Sequence, residues 1–211
     1  FPSHSKKQLT NYVRGYLKSM LDNQILVQDD QLSFYIYKLS KDSKTQYGVI
    51  ASVDINLRSK KYILPHEKTF TIKENAILKN IQATKTQVGP VYLTYENKNN
   101  LKKIFQKYTR IKPEYFFTSS GETKHSLWIV NNQRDIKFIS SQLSQIKKLY
   151  IADGHHRFAA ISKLFNKTKI KNKNIKSVPL LAALFDQASV KILSYNRLIK
   201  LKKNNSIEVL N

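Results

Sequence analysis

Stretches that read as strand and stretches that read as helix alternate along most of this chain, and no other feature narrows its possible folds as much. Leu9, Tyr12, Val13, Tyr16, Leu17, Met20 and Leu21 recur at spacings of three and four, which predicts an amphipathic core helix opened by Ser3 or Ser5. Residues 32–39 and 47–54 are rich in β-branched and aromatic side chains and flank the polar segment 40–46, the pattern of an antiparallel pair. After a basic loop at 58–62, Pro65-His66-Glu67 reads as a helix opening, 73–87 as helix, and Gly89-Pro90 as its stop. Strands are expected at 91–95, 126–130, 148–152, 178–185 and 190–198, and helices at 101–108, 134–146 and 155–165. The polar, basic stretch 166–176 is expected to be a flexible loop. The fold class that follows is α/β or α+β.

Length and composition permit such a fold. A chain of 211 residues suffices for one compact domain or two small ones, and at this size roughly 70% of the unfolded surface is buried without any staple. Hydrophobic residues make up 41% and aromatics 11%, far from a disordered composition. The absence of cysteine excludes a disulfide scaffold, thiolate metal sites and thiol nucleophiles, and fits a cytoplasmic location. No apolar run approaches the roughly 20 residues of a membrane-spanning helix, so no membrane partner is expected. The chain starts at Phe1 without Met and stops in the polar stretch 202–211, which predicts a fragment.

With 37 Lys+Arg against 14 Asp+Glu, the formal charge is +23, a footprint that nucleic-acid binders share. Here the lysines are spread along the whole chain and mixed with Asn, Ile, Tyr and Phe, the amino acids that AT-rich codons specify. Arginines able to fork onto base edges are few and unclustered, so a nucleic-acid partner is disfavoured.

The chemically richest segment is Leu149-Tyr150-Ile151-Ala152-Asp153-Gly154-His155-His156-Arg157-Phe158. An apolar strand ends in Asp-Gly and passes directly into a helix whose first turn carries two imidazoles and a guanidinium. Gly154 lets a ligand approach the backbone, and the unpaired N–H groups of a helix start favour anions. Arg157 adds a fork suited to phosphate oxygens. The competing reading makes Asp153 a helix cap and both histidines surface residues. For Glu67 the competing reading is a helix-start glutamate that complements the macrodipole two residues after Pro65.

Segment 150–160 resembles the nucleotide-phosphate motif of the ParB and sulfiredoxin superfamily, in which a Gly, two variable residues and an Arg open a helix after a strand. The run Asp-Gly-His-His-Arg is more closely similar to the free L-serine kinases of that superfamily. It is also similar to a related bacterial family of unknown function in which Ile-Ala-Asp-Gly-His-His-Arg recurs. Pro65-His66-Glu67, Val88-Gly89-Pro90-Val91 and Leu127-Trp128 match in the same order, so the resemblance runs from about 12 to 197. It implies a ParB/sulfiredoxin-like core over 61–200 with a mixed sheet and flanking helices. A helix-and-hairpin part at 1–60 would precede this core, and a polar tail at 201–211 would follow it.

The resemblance further implies a kinase that transfers a phosphoryl group from ATP or ADP to the hydroxyl of free L-serine, giving O-phosphoserine, with Mg²⁺ accompanying the nucleotide. Glu67 falls on the catalytic base of those kinases, and Asp153 and His156 fall on their essential positions. Gly154, His155 and Arg157 would then hold the nucleotide phosphates, and His66, Asp153 and Arg197 would face the substrate; no metal ligands stand out. The chain departs from the related family in two places: Glu74 is followed by Asn75-Ala76 in place of Asp-Arg, and Asn196-Arg197 stands in place of His-Arg. A non-catalytic ParB-like nucleotide-binding regulator and a basic nucleic-acid-binding module stay open as alternatives.

Overall fold

Trp128, Ile36, Val49, Leu184, Leu93 and Ile151 lie side by side across six neighbouring strands, and every one of them is buried. This row is the centre of the core, and each such side chain contributes about 1.5–3 kcal/mol through burial. The structure, a computed structural model, describes residues 6–58, 61–96 and 100–192. In chain order these form α1 (Lys6–Asp22), β1 (Phe34–Lys41), β2 (Lys44–Asp54), a 3₁₀ turn (Ile55–Arg58), β3 (Ile63–Leu64), α2 (Thr71–Thr84) and β4 (Val91–Tyr95). Then follow α3 (Leu101–Tyr108), β5 (Tyr115–Thr118), β6 (Lys124–Val130), α4 (Gln133–Ser144), β7 (Leu149–Asp153), α5 (His155–Lys171), β8 (Pro179–Asp186) and a 3₁₀ turn (Gln187–Ser189).

The eight strands make one mixed sheet in the order β3-β7-β4-β8-β2-β1-β6-β5. The pairs β3/β7 and β4/β8 are parallel and the others antiparallel. The α/β expectation with a mixed sheet and flanking helices therefore describes the molecule. β1 and β2 come from the stretch 1–60, yet they pair with β6 and β8 of the stretch 61–200, so one sheet runs across that boundary. Side chains from α3, α4 and α5, among them Ile104, Ile139, Phe158 and Ile161, close the core over the sheet. Gly48 is placed by this packing, because a Cβ there would lie 2.7 Å from the Phe185 ring.

Sheet order also places the sequence motifs. β3 runs parallel to β7, with Ile63 beside Leu149 and Leu64 beside Tyr150. The residues that leave β3 therefore emerge at the same end as Asp153-Gly154. β4 runs antiparallel to β7, which puts its start at that end as well, with Tyr92 opposite Asp153. Three separate motifs, at 65–67, 88–91 and 153–157, are thereby delivered to one edge of the molecule.

Several sequence expectations need correction. α1 is not core scaffold: Tyr12 is 67% exposed and Tyr16 59%, and the helix packs on α2, with Arg14 Nε donating to Ala83 O at 3.0 Å. Pro65-His66-Glu67 opens no helix, and α2 starts only at Thr71. The hairpin turn is confined to Asp42-Ser43, with Asp42 at φ 52, so the polar residues on both sides belong to β1 and β2. α2 ends at Thr84, earlier than Gly89-Pro90, because Lys85 turns left-handed. The expected flexible loop at 166–176 is helical through Lys171, since lysines favour helices and here complement the C-terminal dipole. Residues 190–192 form no strand, and 193–198, like Ser3, Ser5 and the tail 201–211, lie outside the described residues.

Candidate functional site

β7 delivers Asp153 to the sheet end, and Gly154 turns the chain into α5 with φ 95 and ψ 25, the left-handed region that suits glycine. No side chain among the described residues caps this helix. The first backbone bond of the helix runs from Phe158 N–H to Gly154 O at 2.9 Å, so the N–H groups of His155, His156 and Arg157 precede it. Asp153 accepts instead from Arg157 Nη2 at 2.6 Å, one helical turn away. The Arg157 guanidinium lies against two glycines. A Cβ on Gly154 would stand 2.9 Å from Nη2, and a Cβ on Gly89, itself at φ 78, would stand 3.5 Å from Nη1. Gly89-Pro90 and Asp153–Arg157 are thus halves of one arrangement around a guanidinium whose buried Nε has no hydrogen-bond partner among the described residues.

The two histidines hold the loop that follows β3. His155 Nε2 accepts from the His66 backbone N–H at 3.4 Å, and His156 Nε2 accepts from the Phe70 backbone N–H at 3.2 Å. The His66 ring meets the His155 ring edge-on at 4.5 Å, and Phe70 stacks on His156 at 5.9 Å. Loop N–H groups engaged in this way explain why Pro65-His66-Glu67 stays out of helix. The Glu67 carboxylate, 62% exposed, reaches His155 Nδ1 at 3.5 Å. Three of the chain's five histidines meet in this cluster, next to Glu67, Asp153, Gly154 and Arg157. Arg197 lies outside the described residues.

The family profile for "Protein of unknown function (DUF1015)" matches residues 2–211. The chain belongs to the DUF1015 family. That agrees with the expected resemblance to a family of unknown function. No curated protein and no solved structure matches the chain.

In this DUF1015 chain a second set of polar groups supports the site from behind. Glu74, buried in the first turn of α2, pairs with Lys163 Nζ of α5 at 2.5 Å and accepts from the Thr69 hydroxyl. Lys163 also donates to Asn75 Oδ1 at 3.3 Å, so a lysine from a different helix stands beside Glu74-Asn75. Hydrogen bonds from Lys163 and Thr69 hold the Glu74 carboxyl below the usual carboxylate range, outweighing burial; the charges of Lys163 and His156 act in the same direction. Burial pushes the His155 imidazole below its ordinary value. The Glu67 and Asp153 carboxylates oppose that shift, and His66 and His156 reinforce it. Both carboxylates thus act on one imidazole that is neutral at pH 7.

Sequence reasoning missed Lys163, Thr69 and Phe70. Lys163 follows His156 by seven residues, two helical turns on the same face, and that spacing was its one available signal. Beside the site, a cavity of about 390 Å³ is lined by Ile77 and Ile81 of α2, Ile161 of α5, Gly89, Val91 and Arg157. Among the described residues no group of three or more His, Cys, Asp and Glu could hold a metal ion, and no helix is long and apolar enough to cross a membrane.

Proposed function

We propose that this chain is a nucleotide-dependent phosphotransferase that moves a phosphoryl group from ATP or ADP to the hydroxyl of free L-serine. The observation that carries this reading is the packing of Glu67 and its loop onto the Asp153–Arg157 turn, across 89 residues of sequence between His66 and His155. A carboxylate able to take a proton and a cationic, N–H-rich helix start able to hold phosphate then share one site.

In the proposed reaction Glu67 accepts the serine hydroxyl proton as that oxygen attacks the terminal phosphorus. The new P–O bond forms while the bond to the nucleotide oxygen breaks, and the electron pair leaves with ADP or AMP. Arg157 and the N–H groups at the start of α5 offset the charge on the transferred group. Its pairing with Asp153 keeps the guanidinium oriented before the nucleotide arrives. Mg²⁺ would enter on the nucleotide phosphates, since the described residues form no ligand set for it, and no step above depends on it. The choice of L-serine as acceptor rests on the resemblance of the two motifs to the serine kinases.

The test is serine-dependent release of ADP from ATP, or AMP from ADP, with O-phosphoserine identified by mass. Nucleotide binding without transfer to serine would point to the regulator alternative. Absence of nucleotide binding would overturn the reading.

A further inference from the structure

We infer that His155 is the positioning residue for Glu67: it holds the carboxylate through Nδ1–H while its Nε2 is committed to the His66 backbone. This goes beyond the proposed phosphotransferase, in which His155 would otherwise be a phosphate donor, and its catalytic consequence rests on that reading.

The side chain of His155 is 4% exposed, the most enclosed imidazole of the cluster, and it lies between the loop and the body of α5. Its Nε2 accepts from His66 N–H, and a neutral imidazole that accepts on one nitrogen carries its proton on the other. That other nitrogen is Nδ1, and the group it faces is the Glu67 carboxylate at 3.5 Å. The tautomer therefore follows from the His66 hydrogen bond alone, and Nδ1 meets Glu67 as a 3.5 Å contact. His66 closes the side, with its ring edge-on to His155 at 4.5 Å. Glu67 itself is 62% exposed and sits in a loop with no helix or strand to hold it. His155 accordingly supplies the fixed reference that an exposed loop carboxylate lacks.

A phosphate-binding role would require His155 to turn a nitrogen toward the ligand, and both nitrogens already face the loop. His156 differs. It is half-buried, and its Nε2 is committed to Phe70 N–H, which leaves Nδ1 outside that contact. The adjacent histidines thus divide the work: the first sets the loop carboxylate, and the second remains the candidate donor to a ligand.

The experiment compares His155→Phe and His155→Gln with the parent. Phenylalanine keeps the ring's bulk and removes both nitrogens, while glutamine keeps a donor and an acceptor. Expected for His155→Phe is a fall in kcat of roughly 10- to 100-fold, the scale of a 1 Å misplacement, with KM for nucleotide unchanged. Glutamine is expected to recover part of the loss, and both variants are checked for parent-like melting. A rise in nucleotide KM with kcat preserved would overturn the inference and return His155 to the phosphate site.

A second measurement does not depend on turnover. Nitrogen-15 spectra of the parent are expected to show the His155 proton on Nδ1, and Glu67→Gln is expected to lower the His155 pKa further by removing a carboxylate that raises it. A proton on Nε2, or a pKa indifferent to Glu67→Gln, would overturn the positioning role even in a chain that proves inactive toward serine. Correct spectra without serine-dependent turnover would retain the positioning geometry and reject the kinase reading alone.

Discussion

Gly154 and Arg157 are packed so closely that a Cβ on the glycine would stand 2.9 Å from Nη2 and 3.0 Å from Nε of the arginine. The backbone at Gly154 adds a second constraint, since its φ of 95 is one that side chains rarely adopt. Gly154→Ala is expected to destabilise the fold by about 1–3 kcal/mol, or roughly 3–10 °C in Tm. The double variant Gly154→Ala/Arg157→Ala should recover only the part due to contact, because the backbone strain persists. Thermal melts of both decide it, and a Gly154→Ala variant that melts with the parent would disprove the packing argument.

Arg157→Ala separates anchoring of phosphate from folding. The Asp153 side chain that it pairs with is 76% exposed, so water replaces the lost partner at little cost. Nucleotide affinity is expected to drop by about 1.5–3 kcal/mol, the worth of a charge-assisted hydrogen bond. Calorimetric titration reads this directly. Unchanged affinity in a folded variant would mean that the arginine serves the Gly89–Gly154 packing alone.

What the sequence disclosed and what it hid divide along a physical line. β4 and α3 have the bounds expected from their patterns, because Gly89-Pro90 and the spacing of Leu101, Ile104 and Tyr108 are local signals. Asp153-Gly154 was legible as a strand-to-helix turn for the same reason. The loop at 65–70 was not, since its N–H groups find partners on imidazoles far along the chain. β3 is two residues long and exists only through its pairing with β7. The stripe on α1 announced a helix correctly but could not announce which neighbour would cover it, and α2 leaves much of it bare.

The Glu74–Lys163 pair ties α2 to α5, and with them the two sides of the candidate site. Lys163→Met is expected to destabilise by about 1–3 kcal/mol, because a buried carboxylate loses its cation. The pH dependence follows from the lowered Glu74 pKa. The stability this carboxylate contributes is present above its ordinary value of 4.5 and disappears as pH falls below that value through the lower folded one. Urea unfolding of the parent should therefore show a loss of stability starting near pH 4.5 that is shallower in Glu74→Gln. Equal slopes in the two proteins would remove the pair from the account.

His155 predicts a second pH window with its own sign. Its folded pKa lies below the ordinary 6.5, so the unfolded chain binds a proton more readily. The contribution of the neutral buried imidazole is full above pH 6.5 and declines as pH falls through the depressed folded value. His155→Gln, which cannot titrate, should flatten that part of the stability profile. Urea midpoints collected between pH 5 and pH 8 test this, and a parent profile as flat as that of the variant would contradict a neutral buried His155.

Glu67→Gln distinguishes a base from a loop residue that merely touches its neighbour. The change keeps shape and hydrogen bonding and removes only the proton acceptor. Glu67 lies outside any helix, so no macrodipole effect accompanies the substitution, and its 62% exposure leaves little packing to lose. Tm should therefore hold, and nucleotide affinity should barely change, because the proposed phosphate contact lies at Gly154 and Arg157. Serine-dependent turnover should fall by roughly 10²- to 10⁴-fold if Glu67 takes the hydroxyl proton. The readout is release of ADP or AMP with and without serine, for parent and variant at one salt concentration. Undiminished turnover in Glu67→Gln would leave the geometry intact but remove Glu67 from the chemistry, and the base would then have to be sought in Asp153, whose carboxylate is the other one acting on His155.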